Sequence, residues 1–187
     1  AHAWLATWRF GDPPSAAVCS AWLATTWAEQ APELADWLVV LSRRLAADAS
    51  NPLLQMLRQP GVQAFAEWPL MAPSTLGSPQ RPWLLSGSAD LVLRDPSAPA
   101  GERWTILDFK AGGKCPDFCV DADPADVIRD ASLKTYGPQL EGYRDALSSA
   151  IQNRPAWHGE GVGFVGLWFV RSGAALWWRR PTVEAPT

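Results

Sequence analysis

Apolar and polar positions change their period along this chain, and the change separates a helical first third from a sheet-forming remainder. Ala1 to Trp8 reads as the last part of a helix, stopped near Gly11 and the Pro13-Pro14 pair. Ser15 to Gln30 reads as a second helix with Ser15 as its N-cap. Pro32 in a first turn opens a third through Ala47, and a short fourth follows Asn51-Pro52. After Pro60-Gly61 the period becomes two. Val62, Ala64, Ala66, Trp68 and Leu70 alternate with Gln63, Phe65 and Glu67, the pattern of a half-buried strand.

Pro73 to Pro82 is rich in turn formers and reads as a loop. Trp83 to Arg94 and Arg103 to Ala111 follow as two strands joined by a hairpin-like connection from Asp95 to Gly101. Gly112 to about Asp130 lacks a period, Ser132 to Gln152 is helical, and Val162 to Val170 and Ala174 to Arg180 form a closing hairpin around Ser172-Gly173. The order, helices and then β-β-β-α-β-β, predicts an α/β (α+β) fold: a mixed central sheet flanked by helices, with an N-terminal helical segment. No internal repeat or low-complexity tract interrupts the pattern. Residues 1–187 are therefore expected to form a single domain, with 1–60 as its helical part and 61–187 as its core.

Composition narrows the setting. A chain of 187 residues, 48% of them hydrophobic, can bury a substantial core and falls short of two full domains. It has no apolar run of the roughly 18 residues a membrane helix needs and no leader pattern, so no membrane partner and a cytoplasmic location are expected. Cys19, Cys115 and Cys119 form no disulfide framework and fit a reducing compartment. The net charge of −3 argues against a protein that coats nucleic acid by charge alone, although acids gathered at a metal site would contribute to that sign. The chain opens directly on an apolar pattern at Ala1, which predicts a piece excised from a longer polypeptide.

The strongest chemical signal is Trp104-Thr-Ile-Leu-Asp108-Phe-Lys110, a hydrophobic strand that ends in two ionised side chains one residue apart. Strand geometry points Asp108 and Lys110 to one face, roughly 6.5 to 7 Å apart along the chain. The preceding strand carries Asp90 within Ser86-Gly-Ser-Ala-Asp90-Leu-Val-Leu, so hairpin pairing would bring two carboxylates together. Adjacent carboxylates repel unless a cation lies between them, and hard oxygen ligands select magnesium or manganese. Further on, Tyr136-Gly-Pro-Gln139-Leu-Glu-Gly-Tyr143 places Gln139 and Tyr143 four apart on one helical face.

Asp90, then Asp108-Phe109-Lys110, then Gln139-x-x-x-Tyr143 resembles, in order and spacing, the PD-(D/E)XK nuclease superfamily. Within it the likeness is to the RecB-like branch, the nuclease domains of exodeoxyribonuclease V beta-type and AddA-type helicase-nucleases. Ala1-His2-Ala-Trp-Leu5 looks like that family's upstream helix, Phe65-Ala-Glu67-Trp-Pro-Leu70 resembles its first core strand, and Phe164 to Trp178 is similar to its closing hairpin. The resemblance implies a restriction-endonuclease-like sheet and phosphodiester hydrolysis assisted by Mg2+ or Mn2+. It implies that Asp90, Asp108, the Phe109 carbonyl and His2 bind metal, that Lys110 orients or activates water, and that Gln139 and Tyr143 position the DNA backbone or brace the site. Glu67 is a secondary candidate. The partners implied are DNA, the helicase domain of a parent chain and a possible partner subunit, in exonuclease action during double-strand-break repair and recombination. The alternative is a catalytically silent nuclease-like module that binds DNA or acts as a scaffold within such a complex.

Plainer readings stand beside these. Asp108 and Lys110 could form a simple ion pair at a strand end, and Tyr143 could be a core tyrosine on an amphipathic helix. Asp117, Asp121, Asp123, Asp126 and Asp130 lack the glycine and closing glutamate of a calcium loop and read as solvated. Cys115-x-x-x-Cys119 has the wrong spacing for zinc, and the cysteines that hold an iron-sulfur cluster in some relatives are missing, so no cluster is expected. Gly112-Gly-Lys114 is no Walker loop, so no nucleotide site is expected in this chain. His158 reads as a loop residue without a role. Of the twelve tryptophans, Trp22, Trp37, Trp104 and Trp168 fall at expected core positions, and exposed ones would mark a surface for the helicase.

Overall fold

The N-terminal helices form where the apolar period and the end signals coincide. They are α1 (His2–Trp8), α2 (Ala16–Trp27), α3 (Pro32–Ala47) and α4 (Pro52–Leu57). The computed structural model describes residues 2–8, 12–27, 32–47, 52–74, 83–110, 124–169 and 174–179. Ser15 caps α2: its Oγ accepts from the Val18 N–H at 3.4 Å and its carbonyl from the Cys19 N–H at 3.1 Å. On α3 the buried stripe is Ala35, Leu38, Val39, Leu41, Ser42 and Leu45. At about 100° per residue Trp37 falls just outside the edge of that stripe, beyond Leu41, and at 39% exposure it is a surface residue, against the core position expected of it. Trp104 and Trp168 are fully buried, while Trp22 packs edge-on against Trp4 at 5.1 Å. Trp4 in turn donates its indole N–H to buried Ser42 at 3.1 Å.

Five strands form one mixed sheet in the order β1 (Gln63–Ser74), β2 (Trp83–Arg94), β3 (Trp104–Lys110), β4 (Val162–Phe169) and β5 (Ala174–Arg179). Neighbours are antiparallel except β3 and β4, which run parallel and are joined across one face by α5 (Pro124–Gln152). This is the expected α/β architecture and element order. Two boundaries differ. Helix α5 starts well before Ser132, because proline at a first helical position needs no N–H partner and already has the helical φ. Strand β1 runs through Pro73, which pairs with Leu84 as Pro69 does with Ser88; an edge strand tolerates residues without an N–H.

The sheet has a core on each face. Helices α1 to α4 cover Leu91, Leu93, Leu107, Phe109 and Trp168. Leu140, Tyr143, Ala146, Leu147 and Ile151 of α5 cover Ala89, Val92, Trp104, Ile106, Val165 and Leu167 on the other. Simple alternation in β1 and β2 fails at one point. Phe65 and Trp68, three apart, share the α5 side and meet edge-on at 4.8 Å, where a period of two would separate them. Across from them Ala89 and Val92 share one core while Leu91 and Leu93 join the other. The cause lies at Glu67, whose φ of 49° is left-handed and turns the pleat over. The pairs Ala66↔Leu91 and Trp68↔Ala89 keep one register, so no residue is inserted and Glu67 lies across from Asp90.

At the far end of β2 and β3, Glu160 ties three elements together. It accepts two bonds from Arg94 (2.8 and 2.5 Å), one from Arg103 (2.9 Å) and one from the Trp104 indole (2.7 Å). Bonding to Arg94 above all holds its carboxyl at about 2, against an ordinary 4.5. A depressed carboxyl pKa contributes stability that is complete above the unfolded value and is lost as pH falls through the folded one. Acid titration followed by circular dichroism should therefore show wild-type stability falling between about pH 4.5 and 2. Glu160→Gln should lose about 2–4 kcal/mol at neutral pH in urea unfolding and lack this part of the acid dependence.

Candidate functional site

The β2–β3 ladder ends at Leu91↔Leu107, and one step further the same register sets Asp90 opposite Asp108. There the strands part, while β3 continues against β4 through Asp108↔Leu167 and Lys110↔Phe169. In the fork the Asp90 Oδ2 accepts the Phe109 N–H at 2.5 Å, replacing the next rung of the ladder. The N–H and C=O of one strand residue point the same way, so the Phe109 carbonyl is directed to the β2 side as well. Asp90 thus meets the Phe109 backbone, one residue after the Asp108 that the register sets across from it.

Asp108 and Lys110 share the α5 face. Asp108 is 5% exposed, and its Oδ2 is paired with the Lys110 ammonium; among the described residues nothing else donates a hydrogen bond to it. The Lys110 Nζ also stands 4.2 Å from the centre of the Tyr136 ring. The plain ion pair is therefore present, at a place where burial makes it more than a surface contact.

Helix α5 supplies the remaining polar groups. Pro138, within the helix, has no N–H to give the Lys134 carbonyl. Gln139 donates its amide to the Tyr143 hydroxyl at 2.8 Å, and Tyr143, 7% exposed, belongs to the α5-side core. Its hydroxyl lies 3.5 Å from where a Cβ on Gly87 would stand, so the missing side chain on β2 seats the phenol. Glu67 is exposed and accepts the Ser88 hydroxyl at 3.1 Å. His2 opens α1, which lies against β1 and β2, but its side chain falls outside the described residues. So do Cys115, Cys119, the acids Asp117, Asp121 and Asp123, and Gly112 to Lys114. His158 is exposed after a short 3-10 turn.

No family model and no curated protein matches the chain.

The donor set is two carboxylates and a backbone carbonyl, all hard oxygens. Among the described residues no three His, Cys, Asp or Glu side chains gather as a metal group. That set fits a cation that keeps much of its water, as Mg2+ does, and not zinc or calcium in a closed cage. The buried Asp108 oxygen that, among the described residues, meets only an ammonium is the acceptor such an ion would take. Two residues escaped the sequence reading of the site. Gly87 has no signature of its own, whereas Tyr136, seven before Tyr143, lies on the same helical stripe and was legible there. The seat on Gly87 predicts that Gly87→Ala fits, whereas Gly87→Leu displaces Tyr143 and loses about 1–3 kcal/mol in urea unfolding.

Proposed function

We propose that this chain is a divalent-cation-dependent deoxyribonuclease module, similar to the RecB-like branch of the PD-(D/E)XK nucleases, that hydrolyses phosphodiester bonds in DNA. The observation that carries the reading is the strand fork, with Asp90 bonded to the Phe109 N–H and Asp108 paired with Lys110 beside it. A surface ion pair has no use for a second carboxylate on the neighbouring strand, whereas a hard-cation site has one.

In this reading Asp90, Asp108 and the Phe109 carbonyl hold Mg2+ or Mn2+, with His2 as a further ligand. When bound, the ion polarises the phosphate and lowers the pKa of its water. Lys110 already has its ammonium at the carboxylate end of β3, where it can orient that water and offset charge that grows on the phosphate. Gln139 restrains the Tyr143 hydroxyl, and the pair braces the wall on which the DNA backbone would lie. Glu67 is a secondary contributor at the entrance, anchored by Ser88. The partners proposed are DNA and the helicase domain of a longer chain, with exonuclease action at double-strand breaks as the biological setting.

Degradation of linear DNA by the purified chain should require Mg2+ or Mn2+ and stop with chelator. Lys110→Ala should lower the rate by about 10²–10³-fold, and Asp108→Ala should reduce it to background. Unchanged cleavage by either variant overturns the assignment, and DNA binding without cleavage under any divalent ion replaces it with a silent binding module.

A further inference from the structure

The cation that this reading places at Asp108 competes with Lys110 for the same oxygen. Asp108 Oδ2 is the atom the ammonium now holds, and it is buried. An ammonium deprived of that partner needs a second hold if it is to stay beside the reacting phosphate. Tyr136 provides one. Its ring, half-buried on α5, has the Lys110 Nζ 4.2 Å from its centre, within the range in which the electron-rich face attracts a cation. The Lys110 side chain is only 16% exposed, so the attraction is weakly screened. The ring also belongs to the stripe of Gln139 and Tyr143, so the element that seats the phenol on Gly87 sets Tyr136 over β3.

We infer that Tyr136 is a positioning residue that holds the Lys110 ammonium independently of Asp108, and so keeps it in place once a divalent ion has taken the carboxylate. The catalytic part of this inference rests on the nuclease reading; the hold itself does not. The phenol hydroxyl plays no part in it, since the attraction comes from the ring face.

The chain has three lysines, Lys110, Lys114 and Lys134, which makes the hold directly observable. In the full chain with 13C-labelled lysine, assigned with Lys110→Met, the Lys110 Cε methylene protons should be shifted upfield by the Tyr136 ring. The shift should persist in Asp108→Asn, where the carboxylate charge is gone, and on addition of Mg2+ alone. It should persist in Tyr136→Phe and vanish in Tyr136→Leu. Absence of the shift in the wild type, or its loss in Asp108→Asn, overturns the inference whether or not the chain cleaves DNA. In cleavage assays Tyr136→Leu should lower kcat about tenfold with KM within about twofold, and Tyr136→Phe should restore it. An unchanged kcat in Tyr136→Leu overturns the positioning role. A wild type that shows the ring shift but never cleaves refutes the nuclease reading and leaves the hold standing.

Discussion

A carboxylate standing in for a missing rung of the β-ladder holds the candidate site together. Where β2 and β3 separate, the Phe109 N–H is buried and has lost the strand that would have accepted it. Leaving such a donor unmet costs about 1–3 kcal/mol. Asp90 meets it with a charged acceptor, which strengthens the bond and draws the acid to the residue after Asp108. The group proposed to hold a cation is thus also the group that completes the sheet. Its place is set by the backbone's own demand for a partner and does not wait on a ligand.

Helix α5 spans the fork from above. Its crossover between the parallel strands β3 and β4 brings it over the face that carries Asp108 and Lys110. Along one stripe Tyr136 then stands over β3 and Tyr143 over β2, with Gln139 tying to the latter. One rigid element therefore relates the lysine on one prong of the fork to the strand that carries the acid on the other. The apolar residues beneath it, Leu140, Ala146, Leu147 and Ile151, fix that relation by packing.

Long periodic segments were legible in the sequence, and so was the antiparallel pairing of the strands that carry the two acids, because both rest on regular geometry. Ser15 capped its helix and the order of elements held. What stayed hidden was irregular. A glutamate is seldom left-handed, so nothing in Phe65-Ala-Glu67-Trp68 announces that the pleat turns over there and brings Phe65 and Trp68 together. Trp37 misled because the period places it at the border of the α3 stripe, and the border here is exposed. The Glu160 network was invisible because its arginines and tryptophan lie 56 to 66 residues before Glu160 in the chain.

The prolines of β1 act beyond the strand itself. Pro69 and Pro73 are four residues apart, so their nitrogens point in the same lateral direction, and neither carries a hydrogen to offer another strand. The outer rim of a twelve-residue strand would otherwise present a regular row of donors. Prolines at two of its positions make this strand a poorer template for a neighbouring one, which is one of the ways an exposed sheet edge is blunted against self-association.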